Sequence, residues 1–298
     1  MRFPLAVAAG LVIAGLTATP AAADTPKGAY WRVETTHITT HPRPVGSGYY
    51  LTQREVSTEW LSPEGKSWSG FRELGAKPAT PKDEAAWRAD GSPTTWDYRT
   101  EGMKIRLSTA PGQGHITPTK GRPDGFRLGE KYVTYQRLQA LPTDAETLRK
   151  HLVADVKAWI DVAAQEAKTT SPNSKKDDWL VNLDRYVAGR ASELLYANPV
   201  PKKVRTAAYQ VLKTTKGVTD LGRAKDPLGR TGHKLALPIP SNKDSVLKQQ
   251  LLVDTKTMTL LAKYTDLKDG GKPMLGKSGV QTITAGWTDD KLTAPAAD

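Results

Sequence analysis

Several groups of residues in this chain have the types that chemistry uses. Gly271, Gly276, Lys277 and Ser278 satisfy the spacing of a phosphate-cradling loop, in which glycines free backbone N–H groups to surround phosphate and the lysine neutralises it. Such a loop must join a buried strand to a helix. Here residues 265–270 are polar and residues 280–285 read as strand, so the string reads as a Gly/Lys-rich loop instead. Ser245 with Lys248, and Lys277 with Ser278 and Gly279, have the residues of the serine and lysine boxes of penicillin-recognising enzymes. They stand too close together, with no Ser-Asp-Asn box between them, and Ser245 precedes a strand rather than opening a helix. No Gly-x-Ser-x-Gly elbow is present, so hydrolases of that kind lack their nucleophile.

The histidines are His37, His41, His115, His151 and His233. His37 and His41 lie four apart in a strand that runs into Pro42, which is not the helical pair that grips zinc, and no His-Glu-x-x-His string exists. Glu55 and Glu59 share one strand face about 13 Å apart, at about 3.3 Å per residue. Glycosidases hold their two carboxylates about 5–9.5 Å apart, so this pair alone makes no such site, although a glutamate from another strand could supply a partner. The absence of cysteine excludes disulfide scaffolds, thiolate zinc sites, iron–sulfur proteins and cysteine enzymes. The expectation is a protein without catalytic residues, metal or cofactor, with an enzyme of unrecognised type as an alternative.

The elements that would position a site follow from the rest of the chain. Its 298 residues are 38% hydrophobic and include 25 glycines, an ordinary globular composition that supports a core. Arg2, an apolar run over residues 5–16 and the small residues Ala21, Ala22 and Ala23 have the anatomy of a secretory signal peptide, with cleavage expected after Ala23. The mature protein is then secreted, spans no membrane, and is held by packing alone. A net charge of +12 attracts polyanions, which outside a cell means wall polymers and lipid headgroups rather than nucleic acid. Lys202, Lys203 and Arg205 make the one compact basic group, beside Pro201. Elsewhere the lysines are mixed with acids and read as a solvated surface on a monomer.

Along the mature chain the pattern changes twice. Residues 30–38 and 49–61 are rich in Thr, Val, Trp and Tyr and read as strands, and the turn at residues 62–65 places Trp60 and Trp68 near each other across a hairpin. A short helix is expected near residues 83–88, and residues 108–129, punctuated by glycine and proline, read as a long surface loop. Three helices follow between Thr143 and Gly217. The first is capped by Thr143 with Glu146 and carries a stripe through Leu148, Leu152, Val156 and Ile160. The second runs from Leu180 to the stop at Asn198 and Pro199, and the third enters at Pro201. Five short strands then read at residues 218–224, 233–239, 246–253, 259–264 and 280–287, and the tail 288–298 is expected to be disordered. The domain expectation is one α+β ectodomain over residues 24–287, a curved, open half-barrel-like antiparallel sheet packed on about three helices.

The string from Trp60 to Gly65, Ala85 to Pro93, Asn198 to Ala208, Lys216 to Asp220, Asp226 to Gly232, and Val253 with Asp254 resemble, in that order, a family of uncharacterised extracytoplasmic proteins of high-GC Gram-positive bacteria. The resemblance covers most of residues 29–264, and its most specific piece is Asp226-Pro-Leu-Gly-Arg-Thr-Gly232. Many members of that family carry a membrane helix before this region, where the present chain has a cleavable leader. The family is in turn similar to the half-barrels of bacterial lipoprotein carriers and periplasmic sensors, which implies an apolar cleft under the sheet.

Asp226, Gly229, Arg230 and Gly232 read as an architectural turn: an acceptor for local N–H groups, an unusual backbone position, and a brace to a carboxylate. The aromatic residues are concentrated in the first strand region. In one reading they fill the core; in the other Trp60, Trp68, Trp31 and Tyr50 line a cleft for a hydrophobic, lipid-like ligand or meet an envelope protein. The functional expectation is thus a secreted non-catalytic binding domain, with a binder of anionic wall polymers through Lys202, Lys203 and Arg205 as the alternative.

Overall fold

The computed structural model describes residues 25–100, 103–121, 123–170, 179–238, 245–274 and 276–297. The expected leader lies outside them. Strands β1 (Tyr30–Thr40), β2 (Leu51–Leu61), β3 (Ser67–Pro78), β6 (His115–Pro118), β9 (Thr219–Lys225), β10 (Thr231–Leu237), β11 (Ser245–Asp254), β12 (Thr259–Asp269) and β14 (Gly279–Thr288) form one antiparallel sheet. Its order is β6-β3-β2-β1-β14-β12-β11-β10-β9, with the two-residue β13 (Lys272–Pro273) beside β12. The sheet is curved and does not close into a barrel. Two small hairpins stand apart from it, β4 (Thr95–Thr100) with β5 (Met103–Ser108), and β7 (Phe126–Leu128) with β8 (Lys131–Val133).

The described residues contain five helices: α1 (Pro81–Ala89), α2 (Tyr135–Gln139), α3 (Ala145–Thr170), α4 (Leu183–Glu193) and α5 (Lys202–Thr214). Successive residues of a strand point to opposite faces, so Trp31 and Val33 of β1 face the helices while Tyr30 and Arg32 face away. Trp31 stands opposite Leu61 on one side and Trp287 on the other. Around them Leu235, Leu251, Val253, Leu260 and Ile283 complete the inner face, against which Leu148, Leu152, Val156 and Ile160 of α3 lay their stripe. Ala188 and Ala191 of α4 and Ala207 and Ala208 of α5 are equally buried, and their small side chains let these helices lie close to their neighbours. Full burial of each Leu, Ile or Val contributes about 1.5–3 kcal/mol. In a chain without disulfides this layer is the main source of stability. The expected α+β class and curved antiparallel sheet are present.

A second, smaller core lies under α1 and the β4–β5 hairpin, where Val45, Tyr49, Leu51, Ala76, Trp96 and Leu107 pack together. Trp96 Nε1 donates to the Tyr49 hydroxyl at 2.8 Å, and that hydroxyl donates to Asp90 Oδ2 at 3.3 Å. Several aromatic residues of the first strand region are therefore packing groups of this annex.

Some local expectations need correction. Asp144, not Thr143, caps α3: its Oδ1 accepts from Thr147 N at 2.8 Å, and its carbonyl accepts from Leu148 N. A carboxylate at that position also faces the positive end of the helix dipole, which a threonine hydroxyl cannot match. The expected loop over residues 108–129 contains β6, an edge strand bonded to β3 with His115 opposite Phe71, and β7. Its glycines and prolines limit these strands to a few residues without preventing them. The second helix is shorter than its apolar pattern, since α4 ends at Glu193 and residues 194–197 form turns. In the segment expected to fray, Thr288 completes β14 and Pro295 is buried over Gly70.

Candidate functional site

The hairpin of β2 and β3 sets Trp60 directly opposite Trp68, as the turn at residues 62–65 predicts. Both face away from the helices, and Tyr30 of β1 joins them. Its ring lies 5.9 Å from Trp60 and 5.6 Å from Trp68, edge-to-face in both cases. The Arg32 guanidinium, 5.1 Å from the Trp60 ring, closes one side and pairs with Glu34. Trp68 is half-buried, but Trp60 is only 1% exposed. Its Nε1 and the Oγ1 of neighbouring Thr58 are buried with no partner among the described residues. The other two aromatic candidates are elsewhere. Trp31 lies on the opposite face in the main core, its Nε1 donating to the Tyr196 carbonyl at 3.1 Å. Tyr50 precedes β2 at its far end, where its N–H donates to Asp83.

An open groove lies under the inner face, beside the helices. A cavity of about 290 Å³ is lined by Glu59, Leu61, Arg127, Tyr132, Glu193 and Tyr196. A second of about 320 Å³ shares Glu59 and Tyr196 with it and continues along Val33, Thr35 and Ser57. Lys263 Nζ donates to the Tyr196 hydroxyl at 2.8 Å and also sits over that ring. Beside the groove Arg190 bridges Glu130 at 2.7 Å, Glu193 at 3.5 Å and Asp155 at 3.8 Å; the Arg190 hydrogen bond holds the Glu130 carboxyl below its usual range. The groove is polar, small and braced by ion pairs, unlike the apolar cleft that the carrier resemblance implies. Sequence reasoning reached Glu59 alone among its lining residues, because the others come from segments far apart in the chain.

The basic group is divided by the fold. Lys202 and Lys203 are exposed in the first turn of α5. Arg205 instead ties the helix down, with Nη1 donating to the Val200 carbonyl at 2.6 Å and Nε to the Thr257 carbonyl at 3.3 Å, and burial pushes its guanidinium below its ordinary pKa. The Asp226 turn contributes a cleft of about 780 Å³ lined by Arg223, Arg230, His233, Lys256, Asp254 and Thr231, among others. Arg230 is committed to Asp226 and His233 to Asp220. Gly232, the last residue of the motif, allows a close strand approach: a Cβ there would come within 2.7 Å of the Val253 carbonyl oxygen.

The remaining motifs are accounted for by backbone architecture. Residues 271–278 connect β12 to β14 through the short β13, joining strand to strand, and the Ser278 hydroxyl accepts from Leu267 N at 2.9 Å. His41 is buried and bonded to the Arg43 carbonyl and the Tyr98 hydroxyl. His37 stands opposite Glu55 and Gln281 on the inner face. Among the described residues no three His, Asp or Glu side chains converge as a metal site requires, and no helix is long and apolar enough to cross a membrane. No family model, curated protein or solved structure matches the chain.

Proposed function

We propose that the chain is a non-catalytic binding domain that works outside the cytoplasm and presents the outer aromatic face of its sheet to a protein of the cell envelope. One observation carries this reading. The helices pack on the inner face and leave a polar groove there, whereas the outer face keeps an aromatic cluster, Tyr30, Trp60 and Trp68, with the buried Trp60 Nε1 and Thr58 Oγ1 lacking a partner among the described residues. Aromatic residues with unspent polar atoms are what recognition surfaces are made of. A lipid-like ligand on the inner face would have to displace α3, α4 and α5 from about the whole main core.

The test places a photoreactive amino acid at Trp68 in protein expressed in its own envelope. A discrete protein adduct that is lost in the Tyr30→Ala background supports the reading, and adducts formed with lipid alone return it to a carrier. A second reading, the binding of anionic wall polymer, is favoured by Arg223 and Lys256. They line the 780 Å³ cleft, where the Lys256 backbone N–H also donates to the Asp254 carboxylate.

A further inference from the structure

The segment that follows β14 is itself seated on this outer face. Thr288 ends β14 opposite Tyr30, and Asp289 Oδ1 accepts from Ala29 N at 2.9 Å. By Pro295 the chain has reached β3, since a Cβ placed on Gly70 would come within 3.0 Å of Pro295 Cδ and 2.5 Å of Thr58 Oγ1. β14, β1, β2 and β3 are consecutive neighbours in the sheet, so residues 288–295 cross roughly 14 Å at about 4.8 Å per strand, a span that extended chain covers easily. Pro295 thus sits over Gly70, which faces Thr58, one position along the same face of β2 from Trp60, itself only 1% exposed. Along the segment Lys291 and Thr293 are exposed, Leu292 and Ala294 are half-buried, and Pro295 is buried, so one edge of an extended chain is turned to the sheet.

This occupant is an incomplete ligand. It runs from beside Tyr30 to Gly70, and no described residue supplies a hydrogen-bond partner to Trp60 Nε1 or Thr58 Oγ1. A buried donor left without an acceptor is a standing cost, and a ligand that satisfied it would gain by doing so. A glycine floor beside the Thr58 hydroxyl, with the Trp60 indole N–H and its aromatic neighbours next along the same strand face, suits the flat ring and the outward carbonyls of a proline-containing extended chain. Such a chain is largely ordered before it binds, so little conformational freedom is lost.

We infer that the Tyr30–Trp60–Trp68 surface is a docking groove for an extended, proline-containing peptide of an envelope protein, and that residues 289–297 are a built-in occupant which such a peptide displaces. The inference rests on the protein-partner reading above and names what is recognised.

The probe is a synthetic peptide with the sequence of residues 289–297, compared with the same peptide carrying Asp in place of its proline. Full-length Pro295→Asp protein is expected to show red-shifted tryptophan emission with unchanged far-ultraviolet circular dichroism, and to bind the proline peptide at least tenfold more tightly than wild type does. Gly70→Leu, which fills the floor, should abolish that binding when added to Pro295→Asp. A second measurement does not depend on weakening the segment. Because the chain has no cysteine, Ala297→Cys can carry a single quencher of tryptophan emission, and excess proline peptide should relieve the quenching whereas the Asp peptide should not. If the emission shift shows an open surface and no peptide binds, the peptide inference is overturned while the protein-partner reading stands. Peptide binding without protein adducts from position 68 in the envelope overturns that reading and leaves the groove. An emission maximum unchanged in Pro295→Asp, with no quenching from position 297, overturns the occupancy itself.

Discussion

Asp226 and Arg230 close a turn upon each other: Arg230 Nε donates to Asp226 Oδ2 at 2.6 Å, while Asp226 Oδ1 accepts from the backbone N–H groups of Leu228 and Arg230. The Asp226 side chain is fully buried. The same guanidinium then reaches outward, donating to the Ile283 carbonyl at 2.9 Å and the Leu261 carbonyl at 2.8 Å. One arginine thus joins the β9–β10 connection to β12 and β14, strands two and three places away in the sheet.

Loss of Asp226 should therefore be felt as stability. Asp226→Ala leaves two N–H groups and a partly buried guanidinium without their acceptor, for an expected cost of about 1–3 kcal/mol per unsatisfied group in the buried limit. Gly229→Val should cost about 1 kcal/mol or more through backbone strain alone, since φ is 78° there and a Cβ would meet nothing within 4 Å. Urea unfolding of both variants checks this, with peptide binding per folded molecule unchanged.

The tryptophans should separate by burial. Trp31→Ala and Trp60→Ala remove side chains 5% and 1% exposed, and each should cost about 3–5 kcal/mol. Trp68, half-buried at the surface of the cluster, should cost distinctly less. Thermal melts of the three variants give the order, and a Trp68→Ala loss equal to that of Trp60→Ala would place Trp68 in the core.

Acid should weaken the clamp beside the inner groove. The Arg190 hydrogen bond lowers the pKa of Glu130 from its usual 4.5. A carboxyl whose folded pKa is depressed contributes stability that is present above its unfolded pKa and is lost as pH falls through the folded value. Glu130 is 48% exposed, so solvent screening limits its share to less than about 1 kcal/mol. Urea midpoints between neutral pH and pH 3 should fall less steeply in Glu130→Gln than in wild type.

Any binding of anionic polymer should be steeply sensitive to salt, because exposed charges are screened over about 10 Å at 0.1 M ionic strength. With inorganic polyphosphate as the probe, Arg223→Ala with Lys256→Ala should weaken binding about tenfold. Lys202→Ala with Lys203→Ala acts on the first turn of α5 and should have the smaller effect. Equal losses from the two pairs would return the basic site to α5.

The cap of α3 offers a direct comparison of neighbours. Asp144→Ala should lower the melting temperature, whereas Thr143→Ala should leave it unchanged, because Asp144 alone of the two bonds the first-turn N–H of Thr147.

Much of the architecture was legible in local patterns. Leu148, Leu152, Val156 and Ile160 fall on one helix face, in a segment of helix-forming residues opened by a cap, and the Thr-, Val- and Trp-rich runs around Trp31 and Trp60 alternate inside and outside as strands do. The turn at residues 62–65 set Trp60 against Trp68 because hairpin register follows from loop length. The turn at Asp226 was legible because its own hydrogen bonds are local, whereas the reach of Arg230 to β12 and β14 was not.

Tertiary structure decided which face each residue serves. Trp31 and Trp60 belong to adjacent strands and share the same chemistry, yet one lies under the helices and the other on the opposite face, packed against Tyr30 and Arg32. Strand alternation says that such residues differ in face, but it does not say what covers each face. The division of Lys202, Lys203 and Arg205 arose in the same way, because the carbonyl of Thr257 that holds Arg205 comes from a distant strand connection. Local sequence determined the elements and their turns through short-range sterics and hydrogen bonds, while the sites depend on which distant segments meet, and that is settled only when the sheet order brings β14 beside β1 and the chain beyond it across β2.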